Sequence, residues 1–228
     1  MKLVGFGCSF TYGSELIDPE LEGVYHNDTE SYTWDRHHAN TRYRESSVWL
    51  GQLAKRLDAT WDNRAEPANS NYAIQYQFAD WFNNNRNPSE RVAVCVAWTD
   101  IARFSWLDDT WTHNGTVRND EKFLHSRKDW ITSDVDHNYW TDAAKLFVNS
   151  VCKLNNIPIL QFNAIGVHST TNYSGYFVDG STMEDVLKQA QSEDDRKQLF
   201  ASGGHPSEVG HFWFTKRLTL FAKEHILL

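Results

Sequence analysis

The chain has 228 residues, of which 40% are hydrophobic and 23% charged. That length supports one domain with a real core. Lys and Arg number 22 against 30 Asp and Glu, a formal charge of −8 with no basic run, so nucleic-acid backbone binding is not expected.

No stretch approaches the roughly 18 apolar residues of a membrane span. The N-terminus carries one lysine and then breaks at Gly7-Cys8-Ser9, too soon for a secretory signal, and reads better as a strand. Cys8, Cys95 and Cys152 are too widely spaced for a disulfide framework or a metal knuckle. A reducing compartment is the expected one.

In chain order, residues 2–7 read as a short buried strand bounded by glycine. Residues 14–45 are polar and aromatic with little periodicity, and their length predicts a cap over a functional face. Ser46 or Ser47 can cap a helix with Trp49, Leu50, Leu53, Ala54 and Leu57 at three/four spacing. Residues 60–63 predict a second strand and 65–71 a polar loop; a helix follows with Ile74, Phe78, Trp81 and Phe82 on one stripe. Residues 91–98 contain Val-Ala-Val-Cys-Val-Ala, a continuous apolar run typical of a strand covered on both faces.

Residues 101–136 read as a second, mostly irregular insertion carrying Trp106, Trp111 and Trp130. A helix is predicted over 140–154, a strand over 157–162 and a loop over 164–180. Ser181 and Glu184 fit a capping box for a short helix, and Ser207 can cap a final helix to about His225. Strands alternating with helices predict one α/β domain over 1–228: three layers around a central parallel sheet.

Ligands of open parallel sheets bind beyond the carboxyl ends of the strands. Polar clusters follow the strands here: Ser9, then Ala68-Asn69-Ser70-Asn71, then Thr99-Asp100, then Asn163; His205 arrives just before the last helix. If Ser9 and His205 meet, they form a nucleophile–base pair, which needs donors aimed at an oxyanion. Each has a structural alternative: Ser9 can cap its turn, His205 can bond backbone at a helix entry, and Asp100 can hold a loop. Arg103 can grip a carboxylate or sugar hydroxyls, while Trp98, Trp106 and Trp111 can stack on a sugar or pack a loop core. No glycine-rich phosphate loop is present, and neither His37-His38 nor His205 with His211 has zinc-ligand spacing, so no cofactor or metal is expected.

These blocks, in this order, resemble the SGNH (GDSL-type) hydrolase superfamily, particularly divergent members from viral and bacterial genomes. Gly7-Cys8-Ser9 matches the family's glycine, one residue and nucleophilic serine, with Cys8 where aspartate is common. The segment from Asn63 to Asn71 resembles the second block, and Ala68 takes the place of its oxyanion glycine. Ala97-Trp98-Thr99-Asp100 aligns with glycine-x-asparagine-aspartate, putting Thr99 at the oxyanion asparagine. Ser202-Gly203-Gly204-His205 keeps the histidine of aspartate-x-x-histidine and has serine at the aspartate position.

The resemblance implies a flavodoxin-like α/β/α fold and serine-dependent hydrolysis of an acyl or acetyl ester, on a small molecule or an O-acylated carbohydrate. It gives Ser9 as nucleophile, His205 as base, and the Ser9 and Ala68 N–H groups with the Thr99 hydroxyl as oxyanion hole. A serine at 202 cannot orient an imidazolium as a carboxylate does, so Asp179, Asp194 and Asp195 become candidate orienting acids. Trp98, Asp100, Arg103 and Trp106 are the candidate substrate contacts. Cytoplasm, or host-cell cytoplasm, is the expected location, with no nucleic-acid or membrane partner. The rival reading is a catalytically inactive domain of this type that binds a glycan or protein partner.

Overall fold

The computed structural model describes residues 1–21, 38–101, 103–107, 112–116, 134–166, 175, 177, 182–189 and 192–226. The strands are β1 (Lys2–Phe6), β2 (Thr60–Asn63), β3 (Val92–Trp98), β4 (Arg103–Leu107), β5 (Thr112–Thr116) and β6 (Ile159–Asn163). The helices are α1 (Ser9–Tyr12), α2 (His38–Ser47), α3 (Trp49–Arg56), α4 (Asn71–Asp80), α5 (Asp134–Leu154), α6 (Met183–Lys188), α7 (Glu193–Leu199) and α8 (Glu208–Ile226). A π-helical turn, Trp81–Asn85, extends α4.

Four strands form an all-parallel sheet in the order β2-β1-β3-β6. The expected three-layer α/β architecture is the one observed. Alternation along the strands builds two cores. Leu3, Ala93, Cys95, Ala97, Leu160 and Phe162 face α3, α6 and α8, where Trp49, Leu50, Leu53, Leu187 and Phe214 wait. Val4, Phe6, Val94, Val96 and Trp98 face α4 and α5, against Ile74, Phe78, Ala144 and Val148. Every residue of β3 is buried, as its unbroken apolar run predicts for a strand covered on both sides.

Four local expectations change. Inside the region read as cap, α2 forms from a sequence of weak periodicity; it is held by buried polar groups, Asn40 and Arg44. The start of α3 is Val48, which offers no side-chain cap, so Ser46 and Ser47 belong to the end of α2. The capping box of α6 is Thr182 with Asp185, one residue on from the expected pair. Within 101–136, β4 and β5 pair as an antiparallel ribbon. Ser207 does cap α8, accepting from Gly210 N–H at 3.1 Å. Among the described residues no helix is long and apolar enough to cross a membrane.

Candidate active site

Because β1 sits between β2 and β3, the chain leaves it in opposite directions, and the crevice of such a sheet opens at the carboxyl ends of β1 and β3. Ser9 and Thr99 emerge there. The turn that carries Ser9 is closely packed: a Cβ on Gly7 would lie 2.3 Å from Thr11 Oγ1 and 3.2 Å from Ala97 O. Only glycine lets the strand come this close to its own helix. Side chains from four other segments pin the turn. Asn69 Nδ2 donates to Gly7 O (3.0 Å) and Asn63 Nδ2 to Thr11 O (2.8 Å). Trp49 Nε1 donates to Thr11 Oγ1 (3.2 Å) and Arg44 Nη1 to Tyr12 O (2.7 Å). Ser9 itself is buried, and as the first residue of α1 its N–H has no acceptor within the helix.

His205 is presented by a tight turn between α7 and α8. Phe200 and Pro206 bridge across it, Ala201 N–H donates to His205 O (2.8 Å), and Gly204 turns the chain at φ +89°. The imidazole lies edge-on to Phe10, with centroids 5.8 Å apart, so it stands beside the residue next to Ser9. Among the described residues, no hydrogen bond joins Ser9 Oγ to the ring.

The carboxylate on His205 comes from Glu15, which no motif marks. Glu15 Oε2 lies 2.8 Å from His205 Nδ1 and also accepts the His205 backbone N–H at 3.2 Å. Glu15 Oε1 accepts Gly203 N–H at 2.8 Å. Both side chains are sheltered, 19% and 25% exposed for His205 and Glu15. Glu15 adopts φ +67°, a left-handed conformation uncommon for a side-chain-bearing residue. Asn40 fixes the segment just beyond, donating to Leu16 O (2.7 Å) and accepting Asp18 N–H (2.8 Å).

The carboxylates suggested by sequence are elsewhere. Asp195 caps α7 with Ser192 (2.7 Å) and Asp194 is exposed near Lys197 (3.7 Å), so neither orients His205; Asp179 lies outside the described residues. Ser202 is exposed on the turn.

Ala68 has φ +63°. The backbone thus takes the left-handed conformation that favours glycine. It is exposed, and its N–H donates to no acceptor among the described residues. Thr99 is fully buried and held at both backbone atoms by Asn71, which accepts from its N–H (2.8 Å) and donates to its carbonyl (2.9 Å). The Thr99 hydroxyl has no hydrogen-bond partner among the described residues, a costly state for a buried donor.

Trp98 is not a substrate contact: it is fully buried, and its indole N–H donates to Gln161 Oε1 at 3.0 Å. Its place on the Val92–Val96 face of β3 gives it to the core. Asp100 sets its carboxyl against Gly166, where a Cβ would come within 2.1 Å. Arg103 opens β4 with a buried Nη1 that has no partner among the described residues; Trp106 pairs with His113 across the ribbon, and its side chain lies outside the described set. His211, in the first turns of α8, is fully buried, and neither ring nitrogen has a partner among the described residues. Burial, with His205 nearby, holds its pKa down to about 3, so it is neutral. A concavity of about 560 Å³ between α3 and α8, lined by Lys55, Arg56, Glu208 and Phe212 among others, includes none of the candidate residues.

No family model and no curated protein matches the chain. Solved structures resemble it in fold. A member of the lipolytic G-D-S-L family from Veillonella parvula is 14% identical, with 98% of this chain and 97% of that one covered and a TM-score of 0.37. TesA is 9% identical, with 98% and 99% covered and a TM-score of 0.49. A family two carbohydrate esterase from Clostridium thermocellum, solved with cellohexaose, is 15% identical at a TM-score of 0.49. There 98% of this chain matches 63% of the esterase chain. Identity to each of these three is 15% or less.

Proposed function

We propose that this protein is a serine ester hydrolase in which Ser9 is the nucleophile, His205 its base, and Glu15 the acid that orients the base. The observation that carries the reading is the Glu15 carboxylate on His205 Nδ1 at 2.8 Å. It answers the absence of an aspartate at Ser202: the acid comes from the segment after the nucleophile instead of the histidine's own loop. Three donors converge on a residue held in a sparsely populated conformation, and strain of that kind gathers at functional sites.

With Nδ1–H donated to Glu15, Nε2 is the basic nitrogen. It takes the Ser9 proton as Oγ attacks the ester carbonyl. The Ser9 and Ala68 N–H groups and the Thr99 hydroxyl hold the developing oxyanion. His205 then protonates the departing alcohol, and water releases the acyl group by the same route in reverse order. Substrate binding draws Oγ and Nε2 into contact, as is common where a resting site has no such bond.

A fluorophosphonate probe tests this directly. Intact-mass measurement should show one adduct on the wild type, none on Ser9→Ala, and much slower labelling of His205→Ala. No adduct at high probe concentration, with no hydrolysis of p-nitrophenyl acetate, would defeat the proposal.

A further inference from the structure

The strand that leads to the oxyanion threonine stops one residue short of it. Pairing of β3 with β6 ends at Trp98 with Asn163, and pairing with β1 ends at Val96 with Phe6. Thr99 thus leaves the sheet fully buried, with an N–H and a C=O that no described strand serves. Buried backbone groups must be paired elsewhere. One side chain serves both. Asn71 Oδ1 accepts the N–H at 2.8 Å and Nδ2 donates to the carbonyl at 2.9 Å, much as a neighbouring strand would. Nδ2 also donates to Thr141 Oγ1 on α5, at 3.1 Å. Both amide protons are then committed, and turning the amide over would set its N–H against the N–H of Thr99. Asn71 is seated by the start of α4, where Ser70 Oγ accepts Ala73 N–H at 3.1 Å.

A second line of amides holds the preceding residue. Trp98 Nε1 donates to Gln161 Oε1 at 3.0 Å, and Gln161 pairs with Asn149 of α5 through two reciprocal bonds of 3.1 Å. Every side chain in the two lines is buried. Both lines end on α5, at Thr141 and Asn149, about 12 Å apart along the helix. The end of β3 is therefore set against α5 at two points. Threonine hydroxyls commonly pair with nearby backbone. Here Asn71 holds the N–H and C=O of Thr99, and the hydroxyl has no partner among the described residues.

We propose that Asn71 and Thr141 are positioning residues: Asn71 holds Thr99 with its hydroxyl left for the oxyanion, and Thr141 fixes the Asn71 amide. This rests on the hydrolase reading above. Oxyanion donors work by being in place before the charge develops. A misplacement of about 1 Å can cost on the order of 10²-fold in rate.

Single and double variants test this on p-nitrophenyl acetate. Thr99→Val should lower kcat on the order of 10²-fold, the loss of one oxyanion donor. Thr141→Val keeps the side-chain shape and removes the acceptor; kcat should fall about fivefold to twentyfold, with KM within about twofold. Thr141→Ser keeps the acceptor and should recover most of the rate. In the Thr99→Val background, Thr141→Val should cost nothing further, because no hydroxyl is left to place. Urea unfolding of each variant checks that it is folded, and Thr141→Ala replaces Thr141→Val if the latter is not. Wild-type kcat in the folded Thr141 deletion overturns the inference. So does a loss confined to KM, a loss that Thr141→Ser fails to recover, or one that multiplies in full with Thr99→Val. A wild type that neither hydrolyses the ester nor takes the fluorophosphonate defeats the hydrolase reading, and this inference with it. An active enzyme indifferent to the Thr141 deletion defeats this inference alone.

Discussion

Glu15→Gln removes the charge from the base's partner while keeping its size and one acceptor. Two unit charges about 4 Å apart attract by roughly 4 kcal/mol at an effective dielectric of about 20. The Glu15 and His205 side chains are 25% and 19% exposed, so water screens part of that attraction. A discounted ~2–3 kcal/mol corresponds to a fall in kcat of about 30- to 150-fold. KM should barely move, because the attraction grows only as His205 becomes charged in the transition state. The amide nitrogen cannot accept, so one of the two backbone N–H bonds from Gly203 and His205 is also lost, at about 1 kcal/mol of stability. Initial rates on p-nitrophenyl acetate and urea unfolding read the two effects separately. Ser202→Asp should restore part of the rate in the Glu15→Gln background and give no gain in the wild type, where the position beside the imidazole is taken. A Glu15→Gln enzyme within twofold of wild-type kcat, with Ser9→Ala inactive, would refute the orienting role.

Two further outcomes concern stability. Ala68→Gly relaxes a left-handed alanine and should raise the unfolding free energy by about 0.5–1 kcal/mol without loss of esterase rate; a destabilised variant would contradict the strain read from φ +63°. His211 titrates near 6.5 when unfolded but is held at about 3 in the fold. The unfolded chain therefore binds a proton below pH 6.5 that the folded chain refuses. Stability from this group is whole above pH 6.5 and falls by about 1.4 kcal/mol per pH unit on the way to pH 3. Urea melts from pH 7 to 4 should show a shallower acid decline for His211→Leu than for the wild type; parallel declines would count against it.

Much of the frame was legible because burial leaves a mark on sequence. The unbroken run in β3 is typical of a strand covered twice, and Gly7-Cys8-Ser9 announced a turn at a strand end. Trp98, expected to be a substrate contact, carried the contrary signal: period-two alternation places it with Val92, Val94 and Val96 on a core face of β3. Other features have no local signature. The sequence of α2 lacks an apolar stripe because Asn40 and Arg44 hold it by polar contacts to the Ser9 segment. For α6, two adjacent residue pairs satisfy the capping-box pattern, and only the backbone selects Thr182. Glu15 was hidden by distance, since its partner lies 190 residues away. The one available hint was chemical: with serine at 202, an orienting acid had to come from outside the histidine's own loop.

Under the mechanism proposed above, that separation also makes serine reactivity a gauge of local order. The sheet closes through β1, β2, β3 and β6, none of which needs the turn before α8. The base and the acid meet only when that turn is seated, since Glu15 grips it through Gly203 and His205 together. Any opening that lifts the turn separates His205 from its orienting carboxylate in one motion while the strands stay paired. Local openings of this kind lie below the global unfolding free energy. The rate at which an electrophile finds Ser9 then measures how firmly the far end of the chain is latched, and a ligand or variant that tightens the latch can raise turnover without touching the nucleophile.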